Sequence, residues 1–331
     1  MEVNDQSSEQ SNPGYDWLAT DAEVADVASR LGIPLAPGDV REITESFSRI
    51  FVFGGDDGEQ RVLKIRARWM TEGRIGFEHA LARHLRGHGL PMVAPLEIEG
   101  GCTWARVGDL FCEIAPHVDG RKAEQSLADV RLMGQLLGHF HVCVRSFDAS
   151  LYEPPHFRNQ VEPRELEQEV TQLPQQLRER WEELVACYER QGVPSLPQVI
   201  RHGDYHPWNM LFSQDEPRGI AALFDLDMSA WGPRIYDVSY AIFFLRNLHP
   251  EWNGEGWSTR YRQFIEGYAE TCGMPIREDE AAVVPLLMEC IAFGFVAQAQ
   301  AEDAESHSAN YTALVEWLES WRPELTGMLG G

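Results

Sequence analysis

The sequence predicts an α+β protein of two lobes, a small β-rich lobe followed by a larger and mainly helical one. Three observations predict this. Short β-rich pieces run from Val40 to Ile65 and return around Leu96, Cys102–Val107 and Leu110–Ile114. A single helical pattern, Glu72 to His88, interrupts them, with Phe77, Leu81 and Leu85 on its apolar stripe. After Pro116 to Gly120 the pattern becomes almost wholly helical.

Residues 1–16 are polar and acidic and read as a disordered tail. Residues 17–116 form the first lobe and residues 117–331 the second, joined near Glu113–Gly120. Asp21 to Leu31 reads as a helix capped by Thr20 or Asp21, with Val24, Val27 and Leu31 on one face. The run Gly54-Gly55-Asp56-Asp57-Gly58 is a hairpin turn signal. Helices are expected over Leu127–Arg145, Arg164–Gln191, Ile235–Leu248, Thr259–Thr271, Glu278–Ala301 and Tyr311–Trp321. The exception in this lobe is a β-loop-β piece from Gln198 to Asp225.

Composition excludes some partners. Hydrophobic residues make up 44% and charged residues 24% of the 331, as in ordinary globular chains. A net charge of −24 argues against nucleic acid and anionic membranes, which would repel it. It suits a cationic partner, and serves solubility equally well. The six cysteines are scattered without a C-x-x-C, which favours reduced thiols in a cytoplasmic protein over disulfides or zinc. The N-terminus lacks the basic start and apolar run of a signal peptide. No stretch is expected to reach the roughly 18 apolar residues of a membrane helix.

The chemistry concentrates in His202-Gly203-Asp204-Tyr205-His206-Pro207-Trp208-Asn209, followed by Phe224-Asp225-Leu226-Asp227. An acid, an amide five positions on, and a second acid after a short apolar hairpin are the groups that phosphoryl transfer from ATP requires. Asp204 is the expected catalytic base, orienting an attacking hydroxyl. Asn209 would lend its amide oxygen, and Asp225 its carboxylate, to Mg²⁺ on the phosphates. Asp227 shares a face with Asp225 if the strand continues, and is a further metal candidate. Hard oxygen ligands favour Mg²⁺ over zinc. His202 is expected to hold the loop by hydrogen bonds, and Asp237 to cap its helix or brace His202 and the loop backbone. His206 has a minor role in this reading. Trp208 and Trp231 are core residues by default, or could flank a substrate pocket.

In the first lobe, Lys64 lies in Val62-Leu63-Lys64-Ile65, where strand alternation puts Val62 and Lys64 on one face. Val62 would cover an adenine and Lys64 would reach the phosphates. Glu78 is the better ion-pair candidate for Lys64, being on the inward side of its helix; Glu72 is at the frayed start.

Together these residues resemble the aminoglycoside phosphotransferase and choline kinase superfamily. His202-Gly203-Asp204 with Asn209 is similar to its catalytic-loop motif, Phe224-Asp225 to its metal motif, and Gly232-Pro233-Arg234-Ile235-Tyr236-Asp237-Val238 to the segment that follows. Phe111-Cys112-Glu113-Ile114-Ala115-Pro116 is similar to the last strand and hinge of its first lobe, so the resemblance implies that Glu113, Ile114 and Ala115 bond adenine through backbone groups. It also implies a bilobal protein-kinase-like fold, ATP and Mg²⁺, and an alcohol acceptor. Two departures stand out. Thr44-Glu45-Ser46-Phe47-Ser48-Arg49, expected over the phosphates, has no glycine, so Ser46, Ser48 or Arg49 would serve instead of a glycine-rich backbone. Asp225-Leu226-Asp227 also lacks a glycine at its third position.

The leading expectation is therefore an ATP- and Mg²⁺-dependent O-phosphotransferase acting on a small hydroxylated molecule. Acids at Glu278, Asp279, Glu280, Glu289, Glu302, Asp303 and Glu305 would select a cationic acceptor, such as an antibiotic or amino alcohol, if they face the cleft; otherwise they are solvent-facing. A Ser/Thr protein kinase of the stress-response type or a homoserine-kinase-like enzyme keeps the chemistry and changes the acceptor. A non-catalytic nucleotide-binding module and a metal hydrolase are weaker readings; the second lacks His-rich clusters. The sequence leaves the oligomeric state open.

Overall fold

A computed structural model describes residues 18–34, 40–43, 48–55, 57–124, 126–151, 166–215, 218–247, 255–299 and 304–329. The chain divides into two compact units, one running through Ile75 and resuming over Ala94–His117, the other comprising Gly76–Val93 and everything from Val118.

The first unit holds helix α1 (Asp21–Leu31) and strands β1 (Val40–Ile43), β2 (Arg49–Gly54), β3 (Gln60–Ile65), β4 (Ala105–Val107) and β5 (Leu110–Pro116). Thr20 caps α1 in a capping box with Glu23, and Gly32 ends it in the left-handed region. The strands form one antiparallel sheet in the order β1-β2-β3-β5-β4. The expected glycine turn joins β2 to β3. Leu63, Ile65, Phe51, Phe53 and Cys112 pack with Val24, Val27 and Ala28 of α1 as one core. Strand alternation therefore turns Val62 and Lys64 to the opposite face of the sheet. Leu96 is not in a strand; it makes one bond to this sheet, its N–H to the Ile114 carbonyl at 2.7 Å.

Helix α2 (Glu72–Gly87) runs from the first unit into the second. The second unit then has α3 (Leu127–Cys143), α4 (Glu167–Val170), α5 (Gln175–Arg190), α6 (Ile235–Asn247), α7 (Glu255–Cys272), α8 (Glu278–Gln298) and α9 (Ala304–Leu329). The single helix expected over Arg164–Gln191 is two, because Pro174 begins α5 and interrupts the hydrogen-bond ladder. Helices α3 and α7 touch backbone to backbone. A Cβ on Gly134 would lie 2.0 Å from the Phe264 carbonyl oxygen, so only glycine fits. Two small hairpin-like sheets carry the loop of interest: β6 (Gln198–Arg201) pairs with β9 (Ala230–Pro233), and β7 (Met210–Phe212) pairs with β8 (Ile220–Leu223).

Helix α8 corrects one expectation, since it is long and apolar enough to cross a membrane. Its most apolar stretch is 83% buried, packed against α5, α6 and α9 as a core helix. Its two buried acids are paired, Glu280 with Arg234 at 2.6 Å and Glu289 with Arg180. All six cysteines are free thiols.

Candidate active site

Strand β6 delivers the chain into the loop that begins at His202. This turn is held from α6 by one carboxylate. Asp237 accepts the His202 N–H and the Gly203 N–H, each at 2.9 Å, and the Nε2–H of His141 at 3.0 Å. His141 Nδ1 in turn faces the Tyr268 hydroxyl at 3.0 Å. Burial would raise the Asp237 carboxyl, but the His141 hydrogen bond and the charges of His141, His202 and Arg201 hold it below its ordinary value. Burial pushes His202 below the ordinary imidazole value, against the pull of Asp237 and Asp204. Gly203 is required twice over: its φ is +84°, and a Cβ would sit 2.0 Å from the Met228 carbonyl oxygen.

Asp204 follows at once, with 22% of its side chain exposed. Its Oδ1 accepts the Tyr240 hydroxyl at 2.6 Å, and its Oδ2 accepts Asn209 Nδ2 at 2.7 Å. His206 Nε2 stands 3.3 Å from the same Oδ2. The Trp208 N–H donates to His206 Nδ1 at 3.2 Å, so Nδ1 is the acceptor and Nε2 carries the hydrogen toward Asp204. Burial raises the Asp204 carboxyl, yet the contacts of His206, Tyr240 and His202 outweigh it and hold it at about 2. Tyr240, raised well above the ordinary phenol value by burial and by Asp204, stays protonated and donates. The carboxylate is thus a fixed anion with three donors around it, able to take a hydrogen bond from a hydroxyl and orient its oxygen.

Asn209 sits in the 3-10 turn Pro207–Asn209, just before β7. Its Nδ2 donates to both the Asp204 carbonyl at 2.9 Å and the Asp204 carboxylate, two groups that only accept. The amide is therefore oriented, and Oδ1 is turned away from Asp204 with no hydrogen bond of its own among the described residues. The Phe224 N–H bonds to the Asn209 carbonyl at 3.1 Å, and Asp225 follows it two residues beyond the end of the neighbouring strand β8. Asp225 has φ +70°, and among the described residues no other non-glycine has a positive φ. Strand β8 has already ended at Leu223, so the alternation proposed for Asp227 does not hold; Asp227 lies in the turn beyond Asp225. Left-handed backbone costs a residue with a Cβ roughly 1–2 kcal/mol, least for Asn and Asp. Asp225→Gly is therefore expected to unfold at higher urea than Asp225→Ala, by about 1 kcal/mol of stability. Equal midpoints would mean the strain is absent.

Among the described residues, no group of three or more His, Cys, Asp or Glu side chains is placed to hold a metal by itself. An open amide oxygen beside a strand-end carboxylate is instead a sparse hard-oxygen set. It fits Mg²⁺, which keeps few protein ligands when phosphates complete its shell.

Val62 and Lys64 share the half-buried face of β3, where Val62 pairs with Ala115 and Lys64 with Glu113. Glu113 is buried and ion-paired with Arg66 at 3.3 Å. The Ile114 carbonyl already accepts the Leu96 N–H, so one of the backbone acceptors assigned to adenine is engaged within the unit. Ser46 lies outside the described residues. Ser48 is buried, and Arg49 is bound to the Ala19 carbonyl and Asp21, each at 3.0 Å, and to Glu42. Arg49 is thus already engaged within the unit. Glu78 is buried on α2.

Sequence reasoning missed Tyr240, His141 and the contact of His206 with Asp204. One signal was present: Tyr236, Tyr240 and Phe244 repeat every four residues on α6, the helix that carries Asp237, and so share one stripe. The Tyr236 hydroxyl also bonds the Gly203 carbonyl at 3.1 Å. Three of the acids in the acidic-cleft expectation are engaged by arginines. Asp279 pairs with Arg277, Glu280 with Arg234 and Glu289 with Arg180. Glu302 and Asp303 lie outside the described residues.

Known proteins resemble this chain in sequence or in fold. An uncharacterised protein of Deinococcus radiodurans is 26% identical over 255 residues, 72% of this chain and 71% of the relative. Amicoumacin kinase hAmiN, solved with AMP-PNP, Ca²⁺ and Ami, superposes with a TM-score of 0.73 at 16% identity, over 90% of this chain and 94% of that one. The microcompartment-associated aminopropanol kinase gives 0.68 at 16% identity, over 92% and 99%. An aminoglycoside phosphotransferase from Alicyclobacillus acidocaldarius gives 0.62 at 17% identity, over 92% and 99%. These likenesses establish the protein-kinase-like fold, with its β-rich lobe and helical lobe. The family model of the APH phosphotransferase enzymes matches residues 39–273, and the chain that folds the loop from His202 to Asp225 in this way belongs to that phosphotransferase enzyme family.

Proposed function

We propose that the protein is an ATP- and Mg²⁺-dependent O-phosphotransferase that phosphorylates a hydroxyl of a small molecule. The observation that carries this reading is the orientation of Asn209: both amide hydrogens are committed to Asp204, and the oxygen is left for a cation beside Asp225. The names of the solved relatives, which include kinases of amicoumacin and aminopropanol, support a small-molecule acceptor.

In this reading Asn209 and Asp225 hold the metal, and Asp227 stands behind them in the turn. The metal, when bound, neutralises charge developing on the phosphates. Lys64 binds phosphate oxygens, and Val62 covers the base. Asp204 accepts the hydrogen bond of the acceptor hydroxyl and aligns it. The acceptor oxygen then bonds to the γ-phosphorus as the bond to the β,γ-bridging oxygen breaks. ADP leaves with that electron pair, and the hydroxyl proton passes by Asp204 to solvent. A carboxyl held at about 2 is a weak base, so its contribution is alignment and charge more than proton affinity. Six free cysteines suit a reducing compartment such as the cytoplasm.

A coupled ADP-release screen over amines, sugars, amino alcohols, antibiotics and protein substrates tests the assignment. At least one small alcohol should release ADP stoichiometrically with a phosphorylated product. ADP release by protein substrates alone would overturn the small-molecule assignment. Lys64→Ala is expected to raise KM for ATP or lower kcat by about tenfold to over a hundredfold, the worth of a charge-assisted contact of roughly 1.5–3 kcal/mol. An unchanged kcat/KM for ATP would remove Lys64 from the phosphate site.

A further inference from the structure

We propose that the acceptor carries a planar aromatic ring a short spacer away from its reactive hydroxyl, and that this ring binds on a wall led by Trp208. The inference rests on the phosphotransferase reading above and specifies its acceptor.

The wall begins at the catalytic loop itself. Trp208 is 54% exposed, although Pro207 and Asn209 on either side of it are buried. Its backbone N–H is bonded to His206 Nδ1 within a 3-10 turn, so the indole is presented from an ordered main chain. The indole lies edge-to-face with His206 at 5.4 Å, and His206 is the residue that touches Asp204. Trp208 is thus one ring removed from the carboxylate that aligns the hydroxyl.

The wall continues across three helices. Trp208 meets Phe244 of α6 at 5.8 Å, Phe244 meets Phe295 of α8 at 6.0 Å, and Phe295 stacks on His307 of α9 at 6.1 Å. Phe244, Phe295 and His307 are all partly exposed, whereas Phe243 and Phe293 on the same helices are buried. The two helices therefore turn one phenylalanine into the core and hold a second at the surface. Partly exposed aromatics in an unbroken row offer π faces and edges to another ring, the geometry in which aromatic pairs gain more than their buried area.

The extent of the aromatic row, not the charge, favours a ring over an ammonium group. The net charge of −24 would steer a cation toward the chain, but specific recognition of a cation needs a desolvated partner at the site. Three of the four α8 acids, Asp279, Glu280 and Glu289, are engaged by arginines, and the fourth, Glu278, is exposed at the first turn of that helix. Glu289 is further tied to the Tyr311 hydroxyl at 3.1 Å. The recognition surface beside Asp204 is aromatic and extended: a flat ring can lie against several of its rings at once, whereas a compact cation stands over one face.

The experiment uses the full chain with ATP and Mg²⁺ and three acceptors: 2-phenylethanol, its saturated counterpart 2-cyclohexylethanol, and choline. ADP release gives kcat/KM for each, and calorimetry gives binding without turnover. The wild type should prefer 2-phenylethanol over both others by tenfold or more. Trp208→Ala should abolish that preference with KM for ATP unchanged, and Trp208→Phe should restore most of it. Trp69→Ala, which removes an exposed tryptophan of the first unit, should leave the preference as it is. Equal use of the ring and its saturated counterpart, a preference for choline, or a ring preference that survives Trp208→Ala would each overturn the proposal. If none of the three releases ADP, the phosphotransferase reading is judged by the wider acceptor screen above, and calorimetry still decides this one. Ring-dependent binding lost in Trp208→Ala supports the wall, and no ring-dependent binding overturns it.

Discussion

Asp204→Asn is expected to lower kcat by roughly two to four orders of magnitude while leaving the affinity for ATP within a few-fold of wild type. Two effects act together. The fixed anion that aligns the hydroxyl is lost, and an amide nitrogen must then face at least one of three donors, Tyr240 Oη, Asn209 Nδ2 and His206 Nε2. Turnover at the wild-type rate would show that this carboxylate does not position the acceptor. The same contacts set a pH expectation. The folded value of about 2 lies below the ordinary carboxylate value, so the stability that these contacts contribute is fully present above about pH 4. It is lost as the pH falls toward about 2. An acid limb in kcat/KM above pH 4 would therefore belong to a group other than Asp204, and a pH–rate profile checks this.

Asp237→Ala is expected to cost about 3–5 kcal/mol of stability and most of the turnover. The change would leave the His202 and Gly203 N–H groups, and His141 Nε2, without their acceptor in a fully buried site. Asp237 touches no reacting group in this account; it positions the turn that presents Asp204. Urea unfolding should show the lower midpoint, and ATP binding to the folded fraction should persist. A variant with wild-type stability and wild-type kcat would mean that the backbone of the turn is held by something else.

The loop from His202 to Asp225 was legible because its functional residues are close in sequence and joined by a short hairpin. Local spacing then fixes their separation in space. The β3 face of Lys64 was legible for a similar reason, since period-2 alternation needs no distant partner. What could not be read depended on partners far along the chain. Glu280 and Arg234 are 46 positions apart, and Glu289 and Arg180 are 109 apart, so acids that look available in sequence are engaged in the fold. Tyr240 was hidden because an apolar-looking helix gives a tyrosine the core as its default place. The role of His206 depends on which ring nitrogen bears hydrogen, a choice made by the Trp208 N–H. The alternation suggested for Asp227 depended on the strand continuing, and β8 ends at Leu223.

The account stands on Asn209 and Asp225 holding a metal on the phosphates of a nucleotide. Calorimetric titration of AMP-PNP into wild type, Asn209→Ala and Asp225→Ala, with and without Mg²⁺, measures this most directly. The prediction is Mg²⁺-dependent binding in the wild type that is abolished in Asp225→Ala and weakened in Asn209→Ala. Binding that is equally strong in all three proteins, and indifferent to Mg²⁺, would contradict it.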